Sequence, residues 1–196
     1  NTGQKMWSVK LGEDLSGGSA IMNSAGTKIY VPEKASPGRI FCVDPIDGNL
    51  IWEWEVPPPT HITSTPSAGQ KLGGGICSTP ALNASETTIY FGTGNEMDCD
   101  GCSDDIYDDR LIALNVAASP SLKWELKGTA IDELQNNERV SFLASPSIAT
   151  NGTIYIGNFN GFLYHIKDKG STYEILDRFN LKSLASVAAQ AAGDAP

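Results

Sequence analysis

A strand-turn-strand unit recurs along this chain, and that recurrence constrains the fold more than any other feature. Its clearest copy is GRIFCVDPIDGNLIWEWEV (38–56), followed by DRLIALNVAASPSLKWEL (109–126) and, more loosely, GFLYHIKDKGSTYEIL (161–176). A shorter unit precedes each copy: GTKIYV (26–31), TTIYFG (87–92) and GTIYIG (152–157), placing Tyr30, Tyr90 and Tyr155 at intervals of 60 and 65 residues. Self-similarity of this kind marks an array of like supersecondary units, each burying its apolar face on the next. The intervals fit four short strands with their turns.

Local chemistry agrees. The Ile-Tyr segments alternate or carry β-branched residues and are bounded by Gly, Asn, Asp or Pro, the signature of strands joined by tight turns. Asn151-Gly152 is expected to form a two-residue hairpin turn, because both residues tolerate positive φ. An apolar period of 3.6 residues is absent outside the Ala-rich end, 184–192, so the class expected is all-β. Residues 183–196 read as a tail or linker after a repeat domain at 1–182.

Segments of the form G-x-L-Y-A-L-D-x-x-T-G-x-x-x-W resemble the pyrroloquinoline-quinone (PQQ) repeat. Gly3 to Trp7, Gly48 to Trp52 and Pro120 to Trp124 keep its turn-to-Trp spacing of four, whereas Gly170 is followed at that spacing by Glu174. The resemblance implies a β-propeller of four-stranded antiparallel blades, with Trp7, Trp52 and Trp124 docked between blades and Trp54 a partly exposed neighbour. About three blades are expected, plus an outermost strand supplied by residues 1–11. Propellers close with typically four to eight blades, so the expected object is an incomplete propeller, partnered by its remaining blades or by another protein.

A net charge of −9 argues against nucleic acid, whose phosphates require clustered Lys and Arg. No run of 18 apolar residues is present to span a membrane.

Acidic residues concentrate in NEMDCDGCSDDIYDD, 95–109. There Glu96, Asp98, Asp100 and Asp104 alternate around Gly101, as in loops that wrap calcium with six to eight oxygens, although Tyr107 stands where a bidentate Glu would close the site. A solvated acidic insertion without metal is the alternative reading. Cys99 and Cys102 bracket the same turn. Zinc would need further ligands at suitable spacing, and a redox dithiol wants a helix N-terminus, which favours a disulfide pinning the loop in an oxidising compartment. Cys42 and Cys77 read as buried thiols at strand positions. The sequons at Asn83 and Asn151 fall in turns and, with the disulfide, lean towards an exported protein.

GGGICSTPALNASETTIYFGTGN (73–95) is similar to quinoprotein alcohol dehydrogenases, in which the Asn of such a GTGN turn helps to hold calcium beside PQQ. That resemblance makes Asn95 the candidate cofactor-site residue. The same family carries D-E-W-D seven residues after the Trp, its last Asp being the base. Here Trp124 is followed by Asp132-Glu133-Leu134-Gln135, and Gln135 cannot accept a proton. Asp132 and Glu133 are the only substitutes, and a solvated loop is the plainer reading of both. His61 and His165 read as turn and strand residues. Two functions follow: a non-catalytic binding or interaction scaffold of an exported protein, which is favoured, or part of a PQQ- and calcium-dependent alcohol dehydrogenase. Calcium is admitted in both; PQQ is not favoured.

Overall fold

The computed structural model describes residues 3–15, 17–58, 74–94, 110–127, 141–159 and 161–181. Their strands form three four-stranded antiparallel sheets. The first contains β1 (Ile21–Met22), β2 (Ile29–Pro32), β3 (Arg39–Val43) and β4 (Leu50–Glu55); the second, β5 (Ala81–Leu82), β6 (Thr88–Gly92), β7 (Arg110–Asn115) and β8 (Ser121–Lys127). The third contains β9 (Ser147–Ile148), β10 (Thr153–Gly157), β11 (Phe162–Asp168) and β12 (Tyr173–Asn180). Each sheet is a meander whose spatial order follows the chain.

Register explains why the Tyr and Trp positions repeat. Tyr30 pairs with Cys42 and Cys42 with Trp52; Tyr90 pairs with Ala113 and Ala113 with Trp124. Side chains opposite one another across antiparallel strands share a face, so each row holds two large rings flanking one small residue. The small residue leaves room for the rings, whose centroids lie 5.8 Å apart in both sheets. One row faces the cluster of Ile76, Ile89, Phe91, Ile112, Leu114 and Val116 between the first and second sheets. The other faces Ile154, Ile156, Tyr164 and Ile166 between the second and third. The central strands β3 and β7 are buried almost throughout, which is why they read as continuous apolar runs rather than alternating ones.

The β1–β2 type of connection also repeats. Gly26 donates to the carbonyl of Asn23, Glu86 to that of Asn83 and Gly152 to that of Ala149, and all three donors have positive φ. Asn151 does not: the two-residue hairpin turn expected at Asn151-Gly152 is instead a four-residue turn closed from Ala149 to Gly152, with Gly152 alone at positive φ. Glu86, at φ 55°, is the non-glycine member. Its carboxylate accepts the Ser24 amide at 2.6 Å, tying the turns of adjacent sheets together.

Residues 3–11 form no strand, which differs from the outermost strand expected there. A strand is stabilised by a paired neighbour, and this segment is held by one side chain instead: the Trp7 indole donates to Pro45 O at 2.9 Å and lies over Gly48. The 183–196 tail lies outside the described residues, as does His61. No helix among the described residues is long and apolar enough to cross a membrane.

Candidate functional site

Two devices join the sheets. At the head of the innermost strands, the Ser19 amide donates to Thr79 Oγ1 and the Thr79 amide to Ser145 Oγ, each at 2.9 Å. One residue thus gives its N–H to the hydroxyl of its counterpart in the next sheet and offers its own hydroxyl in return. At the outer end a tryptophan indole reaches the hairpin turn of the following sheet: Trp7 to Pro45 O, and Trp124 to Asp168 Oδ1 at 3.1 Å. Trp52 occupies the equivalent place at the first interface, but its Nε1 is buried without a hydrogen-bond partner. It contributes packing on Tyr30 and the surrounding cluster.

Asp168 is the most heavily used polar group. One oxygen accepts from Tyr90 Oη at 2.6 Å and Lys123 Nζ at 2.7 Å; the other accepts from Trp124 Nε1 and from the Gly170 amide at 2.8 Å. Burial pulls its carboxyl pKa upward, but the hydrogen bonds from Lys123, Tyr90, Gly170 and Trp124 prevail and hold it below the ordinary value. Tyr90 is pushed far up, first by burial and then by bonding to that carboxylate. The node therefore holds a carboxylate against a protonated phenol at neutral pH. Beside it lies an open cleft of about 450 Å³ lined by Thr87, Thr88, Asn115, Ser121, Lys123 and Gly170. Its cation is committed to Asp168 and Thr88.

The described part of the GTGN turn is bonded at each residue. Gly92 bonds Ser78 Oγ through both its amide and its carbonyl, and a Cβ on Gly92 would overlap the carbonyl oxygen of Phe142. Thr93 is fully buried and bonds Arg110 through its amide and its hydroxyl. Gly94 bridges Gly75. Arg110, only 1% exposed, bonds Glu125 and Pro57 O, both at 2.7 Å. Sequence reasoning missed this arginine and Asp168. Arg39 and Arg110 both open the third strand of a sheet, and Arg39 likewise meets a buried acid, Glu33; that recurrence was the available signal.

Asn95, Glu96, Asp98, Cys99, Asp100, Cys102 and Asp104 lie outside the described residues, as do Asp132, Glu133 and Gln135. Among the described residues no three His, Cys, Asp or Glu side chains converge on a point where a metal would sit. Cys42 is a free thiol. Cys42 is buried in β3, and burial pushes its thiol up to about 11, making it inert at neutral pH. Cys77 is half-buried and precedes β5 rather than opening a strand. His165 stands on β11, as expected for a strand residue.

No protein-family profile matches the chain, and neither does any curated protein sequence. Solved structures do. Quinohemoprotein alcohol dehydrogenase ADHIIG from Pseudomonas putida HK5 is similar with a TM-score of 0.60 at 18% identity, over 92% of this chain and 30% of that one. Quinohemoprotein alcohol dehydrogenase from Comamonas testosteroni gives 0.56 at 17% identity, over 83% and 28%. BamB from Moraxella catarrhalis gives 0.55 at 12% identity, over 89% and 39%. At such identities the likeness shows the fold alone: three four-stranded sheets of a β-propeller, present in part. The chain spans between 28% and 39% of the length of these structures.

Proposed function

We propose that this chain is a PQQ-like propeller repeat module of an exported protein, acting as a non-catalytic binding scaffold. The observation that carries this reading is where the buried polar chemistry goes. Asp168, Lys123 and Trp124 join one sheet to the next, the Ser19–Thr79–Ser145 relay does the same, and Arg110 and Thr93 fasten the second sheet internally. Gln135, where the similar dehydrogenases carry their base, supports the same reading. So does the likeness to BamB. The sequons and the Cys99–Cys102 pair support export.

A second reading rests on the GTGN turn, whose Gly92–Gly94 part is hydrogen-bonded at each residue, and on the two quinohemoprotein likenesses. In that reading the chain is part of a PQQ- and calcium-dependent alcohol dehydrogenase, with Asn95 at the cofactor. Titration of the protein with PQQ and calcium, followed by absorbance and dye-linked oxidation of simple alcohols, separates the two. Stoichiometric binding with turnover overturns the scaffold reading. A folded protein that binds neither supports it.

A further inference from the structure

The two sequons sit on like turns, each joining the first two strands of a sheet, yet the fold uses their asparagines differently. Asn83 is half-buried and its amide is fully engaged: Oδ1 accepts the Thr87 and Thr88 amides at 2.9 and 3.0 Å, and Nδ2 donates to Ser85 Oγ at 3.0 Å and Thr87 Oγ1 at 3.3 Å. Its turn is also tied to the neighbouring sheet, through Glu86 to the Ser24 amide. Asn151 is exposed. Its oxygen accepts the Thr153 amide at 3.0 Å and Thr153 Oγ1 at 2.8 Å, whereas its Nδ2 has no hydrogen-bond partner among the described residues. The space beside it is open, since a Cβ on Gly152 would meet nothing within 4 Å.

We propose that Asn151, and not Asn83, carries an N-linked glycan in the folded protein. The inference rests on the export reading above, because the sugar donor, a lipid-pyrophosphate-linked oligosaccharide, is met on the far side of a membrane. In the transfer Asn151 Nδ2 forms a bond to C1 of the first sugar, the C1–O bond to pyrophosphate breaks, and the lipid pyrophosphate leaves as the amide gives up one proton. Both positions carry the Asn-x-Ser/Thr acceptor pattern, and transfer to an entering, unfolded chain reads that pattern alone. Folding then sorts the products. At Asn151 the hydrogen replaced bonds nothing among the described residues, both bonds to Oδ1 persist, and the bulky, well-hydrated sugar stands in solvent. At Asn83 the sugar replaces one of two hydrogens already bonded, so a turn hydroxyl loses its donor. It must also be fitted against a half-buried side chain that holds together the turn leading into β6. A glycan at Asn83 therefore opposes closure of its turn, and one at Asn151 does not.

Expression in cultured eukaryotic cells behind a cleavable signal peptide tests this. Site occupancy is read by glycosidase digestion and peptide mass spectrometry on the protease-resistant, folded fraction of cells and medium together. One glycan is expected, at Asn151, and any glycan at Asn83 should be confined to the protease-sensitive fraction. Asn151→Asp keeps an oxygen for the two Thr153 bonds and should give folded protein with no glycan. Ser85→Ala removes the other sequon while keeping the bonds from the Thr87 and Thr88 amides to Asn83, and should leave the Asn151 glycan as it was. Folded protein bare at Asn151, or glycosylated at Asn83, overturns the proposal. Folded protein glycosylated at Asn151 that stays inside the cells counts against the export reading instead, and leaves the site standing.

Discussion

Replacing Asp168 with Asn should loosen the seam between the second and third sheets. The shapes match, but an amide accepts only through its oxygen. If that oxygen keeps the bonds from Trp124 and Gly170, the amide nitrogen is left facing two donors, Tyr90 Oη and Lys123 Nζ. Tyr90 is 2% exposed, so its hydroxyl loses its carboxylate in a place water does not readily reach; an unmet buried donor costs about 1–3 kcal/mol. Lys123 is about a quarter exposed and turns to solvent, which limits its share to about 1 kcal/mol. The sum, about 2–4 kcal/mol, should lower the melting temperature by about 5–15 °C for a chain of this size. Because the folded carboxyl pKa is depressed, its contribution is fully present above the unfolded value, near 4, and fades as pH falls through the folded value. The gap between wild type and variant, measured by chemical denaturation, should therefore be constant from neutral pH down to about 5 and close in stronger acid. Tyr90→Phe should cost less on the Asp168→Asn background than alone, because the shared bond is already gone. A variant as stable as wild type at neutral pH, or a gap that does not close in acid, would refute the node as a clamp.

Other outcomes follow from the same geometry. Trp124→Phe should cost more than Trp52→Phe in thermal unfolding, since only the Trp124 indole has an acceptor; equal costs would make packing the whole of the docking. Trp→Ala at either position should cost about 3–5 kcal/mol, and a neutral result would remove the docking role. Glu86→Ala should destabilise by about 1 kcal/mol, whereas Glu86→Gly should lie near wild type, because relief of the left-handed backbone offsets the lost bond to Ser24. If the acidic loop holds calcium, chelation should lower the melting temperature and Asp100→Ala should erase that difference; coincident curves with calcium and chelator would leave a solvated loop.

The strands were legible because each carries its own pattern. Lys28-Ile29-Tyr30-Val31 and Thr88-Ile89-Tyr90-Phe91 declare alternation and β-branching within a few residues, and the repetition of Tyr and Trp told where one sheet ends and the next begins. The turn at Asn151-Gly152 was read less well. The Asn-Gly pair announces a turn, but which residue takes the left-handed conformation depends on where pairing begins, here at Ala149 and Thr153. The segment 3–11 shows the same limit: spacing marks Trp7 as part of the repeat pattern, whereas forming a strand depends on a neighbour that spacing does not supply.

The sequence by itself determined that this chain makes repeated four-stranded sheets, because period and turn chemistry are local properties. Only the tertiary structure decided what the junctions between them are made of. Asp168 lies 78 positions from Tyr90 and 44 from Trp124, and Ser19, Thr79 and Ser145 stand at least 60 apart. Such groups acquire partners and shifted acidity only when sheets stack, since burial and hydrogen bonding depend on distances in space that no short window of sequence contains.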